Sequence, residues 1–225
     1  MALILLGYFM AATTVSRLAG AESDSAVARI VAKDGRRDAT QVLANGGVYC
    51  VVAALGGLGH PVLAAGALGA LAASSADTWA TVFGIGFGTT PRLITTGRKV
   101  ERGESGGVTL AGFMGSAGGA AIIAALVAAT GLPHGLALAS LGGGICGATA
   151  DSLLGATIQE RRWCERCGEP TERAVHVCGG ASRLVGGIQS LDNDVINLLS
   201  TFAGLVSGMA IYWLAEWAAG RSAIG

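Results

Sequence analysis

The chain has 225 residues, of which 52% are hydrophobic, 13% are charged and 37 in number are glycine. That balance excludes an ordinary soluble domain and fits tightly packed transmembrane helices. A formal net charge of zero also excludes the global basic field that gathers nucleic acid, so the predicted fold is an all-α, polytopic membrane helix bundle in one domain.

A membrane-spanning helix needs about 20 apolar residues, and six segments approach that length: residues 2–18, 41–59, 61–83, 108–131, 134–158 and 195–219. Met1 to Ala12 lacks the basic flank of a signal peptide, and Arg17 behind it fits a first helix kept in the membrane. Only Gly59-His60-Pro61 separates the second segment from the third, and Gly131-Leu132-Pro133-His134 the fourth from the fifth, so both pairs read as helical hairpins. All but one of the 15 Lys and Arg residues fall in three alternate loops, 17–37, 92–102 and 161–183, the first holding Arg17, Arg29, Lys33, Arg36 and Arg37. The positive-inside rule places these loops in the cytoplasm and both termini outside. Tyr212, Trp213 and Trp217 are then expected to form an aromatic anchor at the outer end of the last helix.

Asn45-Gly46-Gly47-Val48 reads as the opening of the second helix and Ser105-Gly106-Gly107-Val108 as that of the fourth. Each leads to a tight turn and then to a helix carrying an Ala-Asp-Thr/Ser motif, which predicts a parallel internal repeat, residues 41–83 and 105–158. Asp77 lies 16 residues after Pro61 and Asp151 lies 17 after His134, so the two acids are expected at similar depth near the cytoplasmic ends of their helices. Small residues at four-residue spacing, Gly115 and Gly119, Gly66, Ala70 and Ser74, and Ser200, Gly204 and Gly208, predict close helix crossings around that place.

A carboxylate inside an apolar helix is expensive and marks function more often than packing. Paired hard oxygens at Asp77 and Asp151 suit Mg²⁺, which takes one or two carboxylates and completes its shell with water and substrate phosphate. Ser74, Thr78, Thr81 and Ser152 are candidates to orient them. The loop Thr89–Val100, with Arg92, Thr95, Thr96, Arg98 and Lys99, follows the Asp77 helix and offers cations for phosphate. Ser105, Gly106 and Gly107 behind it read as a helix start, where free N–H groups favour anions. Asn45, Asn193 and Asp194 read either as helix N-caps or as ligands, and Asn197 and Ser200 continue the polar stripe of the last helix.

The loop 159–191 holds Cys164-x2-Cys167 and His176-x-Cys178, four ligands of the type that bind tetrahedral Zn²⁺. Four protein ligands leave no open position, so the expected ion is a structural staple. Cys50 and Cys146 read as small buried hydrophobes.

Several motifs in one order resemble the integral membrane family of phytyl-phosphate kinases of plants and cyanobacteria, with its bacterial and archaeal relatives of unknown function. They are Arg36-Arg37-Asp38-Ala39 with Gln41–Gly47, Ala76-Asp77-Thr78-Trp79-Ala80, Pro91–Gly97, Gly106–Leu110, Asp151–Thr157 and Asn193–Asn197. Many members of that family carry additional N-terminal helices not found in this sequence, and a homo-oligomeric neighbour is one way to complete the lipid groove. The resemblance implies transfer of the terminal phosphate of a nucleoside triphosphate, preferentially CTP, to an isoprenyl monophosphate of the phytyl or geranylgeranyl type. In that reading Mg²⁺ on Asp77 and Asp151 meets the nucleotide phosphates, and Arg92, Arg98 and Lys99 neutralise the transferred group. The acceptor phosphate rests near Asn45 and Ser105-Gly106-Gly107. A transporter of a cation or organic anion and a nucleotidyl transferase making a CDP-lipid are the competing readings of the same acids.

Overall fold

The computed structural model describes residues 2–19, 30, 38–55 and 57–220. Arg29, Lys33, Arg36 and Arg37, expected in the first cytoplasmic loop and in the family motif, lie outside the described residues. Among the described residues there are six α-helices: α1 (Ala2–Ala19), α2 (Ala39–Ala54), α3 (Pro61–Phe87), α4 (Leu110–Ala129), α5 (His134–Thr157) and α6 (Asn193–Ala218).

Their boundaries have local causes. Asp38 caps α2 through a capping box, its side chain accepting from Gln41 N while the Gln41 side chain accepts from Asp38 N. The helix therefore opens at Ala39, and Asn45 lies inside it rather than at its cap. Pro61 at the first position of α3 needs no hydrogen-bond partner for its nitrogen. Thr109 caps α4 by accepting from Gly112 N, so Ser105-Gly106-Gly107 precedes the helix start instead of forming it. The two tetrapeptides Asn45–Val48 and Ser105–Val108 thus occupy different positions relative to their helices. Asp192 caps α6, accepting from the N–H groups of Asp194 and Val195.

Among the described residues three helices, α4, α5 and α6, are long and apolar enough to cross a membrane. The other three expected spans differ. At 16 residues, α2 is about 24 Å long at 1.5 Å per residue, and Leu55 ends it before a short 3₁₀ turn at Gly57–Gly59. The apolar part of α1 is also short, Ala2–Val15. Although 27 residues long, α3 is rich in Ala, Gly and Ser and is the hub of the bundle, touching each of the other five helices.

Every residue of α3 from Ala64 to Ala76 is buried. This is possible because α3 meets small residues on its neighbours. A Cβ on Gly115 would stand 2.5 Å from the Trp79 carbonyl oxygen, one on Gly119 2.7 Å from that of Ser75, and one on Gly208 2.6 Å from that of Ala65. The predicted small-residue faces are the crossing points, where backbones approach closely. Ile4, Tyr8 and Ala12 of α1 close the outer side of the same core.

Two expectations about the surface are corrected. Tyr212 is 6% exposed and packs in the core, its ring against Gly135, so only Trp213 and Trp217 of the expected anchor face outward. Cys50 and Cys146 are exposed on their helices, not buried.

The fold is mostly helical, but the all-α expectation missed two small sheets. Strands β1 (Arg92–Leu93) and β2 (Gly107–Val108) pair antiparallel and close a hairpin after α3. Strands β3 (Arg161–Cys164), β4 (Glu169–Thr171) and β5 (Ser182–Gly186) form an antiparallel sheet in the order β4-β3-β5 after α5. Arg102 ties the first hairpin to α3, its guanidinium donating to the carbonyls of Ile85 and Gly88 and so serving the orphan acceptors at that helix end.

Candidate functional site

The structure brings Asp77 of α3 and Asp151 of α5 together, close enough for their charges to act on one another. Asp151 Oδ2 is sealed from solvent and has no hydrogen-bond partner, while the Ser200 hydroxyl of α6 lies against the same carboxylate. An unpartnered buried oxygen costs free energy unless something meets it. Two hard carboxylates, one with an oxygen left over, fit the donor set of a divalent cation such as Mg²⁺. The Trp79 indole N–H, two residues beyond Asp77, is likewise buried without an acceptor, and its ring stacks on Phe83 at 5.6 Å between centroids, with Phe87 next at 5.4 Å.

Of the residues expected to orient the acids, the two serines make other contacts. Ser152 donates to Ala148 O of its own helix at 3.3 Å. Ser74 donates to Asn45 Oδ1 at 2.9 Å and accepts from the Tyr8 hydroxyl at 2.7 Å, while Asn45 Nδ2 donates to Gln41 O. Ser74 is therefore the joint of a polar chain linking α1, α2 and α3, with Asn45 its member on α2. On α6, Asp194 and Asn197 are buried, Asn193 is half-buried, and Asn197 O accepts from Ser200.

A cleft of about 1130 Å³ lies between the β1–β2 hairpin and the β3–β5 sheet, somewhat above the roughly 300–1,000 Å³ typical of small-molecule sites; neither acid lines it, but Glu172 on its wall is near enough for its charge to act on Asp151. Of the predicted basic residues, Arg98 and Lys99 line it, as does Ser105. Arg102, Arg161 and Arg162 add charge that sequence reasoning did not single out, and Trp163 adds an aromatic wall. Arg92 is not among the lining residues; it is exposed and donates to Gly97 O at 2.9 Å, stiffening its own loop. Thr95 and Thr96 are exposed at the hairpin tip, where Thr96 Oγ1 accepts from Arg98 N. Gly106 and Gly107 serve packing: at Gly106, with φ +77, a Cβ would stand 2.4 Å from Ala156 N, and at Gly107 one would meet Glu104 O at 3.0 Å. The hairpin is thereby seated on the end of α5.

Glu172 and Gln159 were not legible in the sequence. Glu172 Oε1 accepts from Ser105 Oγ at 2.8 Å and from Gln159 Nε2 at 2.9 Å, joining hairpin, helix end and sheet at the cleft. These partners are 67 and 13 residues apart, beyond any local pattern.

Cys164, Cys167, His176 and Cys178 converge, each offering a ligand atom within 4.8 Å of the others. The Cys164 and Cys178 sulfurs are 3.7 Å apart, close to the edge of about 3.8 Å in a tetrahedron with 2.3 Å metal–sulfur bonds. His176 Nδ1 lies 3.3 Å from Cys178 Sγ, while its buried Nε2 stands 3.7 Å from Glu169 Oε1, too far for a hydrogen bond, and has no hydrogen-bond partner. Gly168 and Gly179, both at positive φ, let the chain turn sharply after Cys167 and Cys178. The His176 ring, the Gly180 N–H and Cys167 pull the Cys178 thiol down to about 6. Its neighbour Cys167 is pushed up to about 12, chiefly by Cys178. One thiolate is thus favoured before any metal arrives, and the cluster can hold a metal ion.

The sequence matches known proteins along nearly its whole length. It is 28% identical to Protein PGR of Arabidopsis thaliana, covering 93% of this chain and 82% of that protein. It is 30% identical to an uncharacterized membrane protein, MJ0933, of Methanocaldococcus jannaschii, covering 93% and 75% respectively. No solved structure matches. The family described as integral membrane protein DUF92 matches residues 1–205. The chain therefore belongs to the DUF92 family of integral membrane proteins.

Proposed function

We propose that this protein is a Mg²⁺-dependent phosphotransferase of the membrane surface, transferring the terminal phosphate of a nucleoside triphosphate, CTP by preference, to an isoprenyl monophosphate. The observation that carries the reading is the Asp77–Asp151 pair, with Asp151 Oδ2 buried and unpartnered and within reach of the charge of Glu172, which lines a cleft together with Arg98, Lys99 and Arg161. Mg²⁺ bound there supplies charge neutralisation and a template for the phosphates. Asp77 and Asp151 hold it, and Arg98 and Lys99 meet the charge of the transferred group. Trp163 offers a stacking face to the base. The phosphate of the acceptor is already ionised, so the attack needs no strong general base, and its chain passes between helices into lipid. The cleft belongs on the cytoplasmic side, with both termini outside. We assign Zn²⁺ to Cys164, Cys167, His176 and Cys178 as a structural ion that holds the β3–β5 wall.

The test is transfer from γ-labelled CTP to phytyl and geranylgeranyl monophosphates by purified protein with Mg²⁺. Labelled lipid diphosphate is expected, falling on the order of 10²-fold or more in Asp77→Asn and Asp151→Asn. Release of pyrophosphate with a CDP-lipid product would replace the kinase by a nucleotidyl transferase, and no transfer from folded protein with any nucleotide would sink both.

A further inference from the structure

The register of the zinc-cluster hairpin determines where Glu172 stands. Cys164 pairs with Glu169, Trp163 with Pro170 and Arg162 with Thr171, so the next residue leaves the sheet toward the helix bundle. Its backbone N–H is held by Ile30 O at 2.7 Å, and its carboxylate by Ser105 and Gln159. Both side-chain donors belong to the end of α5 or to what sits on it: Gln159 is 2% exposed just beyond the helix, and Ser105 precedes the Gly106 that is wedged on Ala156. Asp151 lies little more than one turn before that contact. The Glu172 charge reaches it, as the Asp77 charge does, and Asp151 Oδ2 is the sealed oxygen without a partner.

Resting on the reading of Asp77 and Asp151 as cation ligands, we propose that Glu172 is a third carboxylate of that centre, acting through the water shell of the cation, with Ser105 and Gln159 as the residues that position it. Mg²⁺ keeps several waters when one or two carboxylates bind it directly, and such waters need acceptors around them. A carboxylate delivered from the extramembrane sheet makes cation binding depend on how that sheet sits on α5. Neither the helices nor the sheet alone completes the centre.

The test needs no nucleotide or lipid. Mn²⁺ binding to the detergent-solubilised full chain is followed by the electron paramagnetic resonance signal of the free ion, with helix content checked by circular dichroism. Glu172→Gln keeps an oxygen for both donors and removes only the charge; its Mn²⁺ dissociation constant is expected to rise roughly 10-fold with the melting temperature unchanged. Ser105→Ala and Gln159→Ala are expected to weaken binding by smaller factors in the same direction. Wild-type affinity in Glu172→Gln, with affinity lost in Asp151→Asn, overturns this inference alone. Wild-type affinity in Asp77→Asn and Asp151→Asn as well overturns the cation reading beneath it.

Discussion

Gly69 of α3 and Gly204 of α6 approach so closely that a Cβ on Gly69 would stand 2.4 Å from the Gly204 carbonyl oxygen. Gly143 of α5 meets the same spot, its own Cβ position 2.8 Å from Gly69 Cα. Three backbones therefore share one crossing, and none of the atoms in the way is the end of a flexible side chain. Gly69→Ala is expected to destabilise the bundle by about 1–3 kcal/mol through overpacking. Gly46→Ala, inside α2 with nothing within 4 Å of its Cβ position, is expected to be neutral or to stabilise by up to about 1 kcal/mol. Thermal unfolding of the two variants in one detergent compares them directly.

The cysteine cluster predicts metal content. Purified protein should carry one zinc per chain by elemental analysis, and Cys164→Ser should lose it, because Cys164 is buried among the other ligands. Cys50→Ser and Cys146→Ser, exposed on helices away from the cluster, should keep it. Full zinc content in Cys164→Ser would remove the cluster as its site.

Nucleotide affinity should separate the basic residues of the hairpin. Arg98→Gln and Lys99→Gln remove charge from the cleft and are expected to raise KM for CTP several-fold, on the order of 1 kcal/mol each. Arg92→Gln should leave KM within about twofold, since Arg92 donates to its own loop at Gly97 and does not line the cleft; a surface contact of that kind contributes roughly 0–1 kcal/mol. Equal effects at all three positions would mean that the hairpin moves as a unit when substrate binds.

The junction between the sheet and α6 should respond to acid. Burial works against the Glu160 charge, but the Ser190 N–H at 2.6 Å and Arg162 outweigh it and hold the carboxyl below its ordinary value. A depressed folded-state value contributes stability above the unfolded value of about 4.3, lost as pH falls through the folded one. Stability should therefore decline below about pH 4.3 in wild type and less so in Glu160→Gln, measured by unfolding of the purified protein against pH. Ser190 beside it adopts φ 73, so Ser190→Gly should raise stability by about 1 kcal/mol.

Much of the helical plan was legible because its punctuation is local. Pro61 and the Gly131–Pro133 turn mark the hairpins, and α4 and α5 begin and end within two residues of their apolar runs. The start of α2 was also legible, since Asp38 and Gln41 have the spacing of a capping box, but the glycine pair after Asn45 drew attention away from it. The small sheets were not, because β1 and β2 are two residues long and β3 is held by cysteine geometry more than by an alternating pattern. The pairing of Asp77 with Asp151 followed from matched depth along two helices. That Glu172 would join them depends on a sheet docking on a helix end, and no periodicity encodes such a contact.

The burial of α3 by small residues bears on how the chain is inserted during synthesis. By length and composition α4 and α6 qualify as membrane spans on their own, and α3 does not. The acid-bearing hub thus depends for its place in the bilayer on neighbours translated after it. A truncation ending before α4 should leave α3 poorly anchored, and the cell would meet the exposed Asp77 helix as a target for degradation.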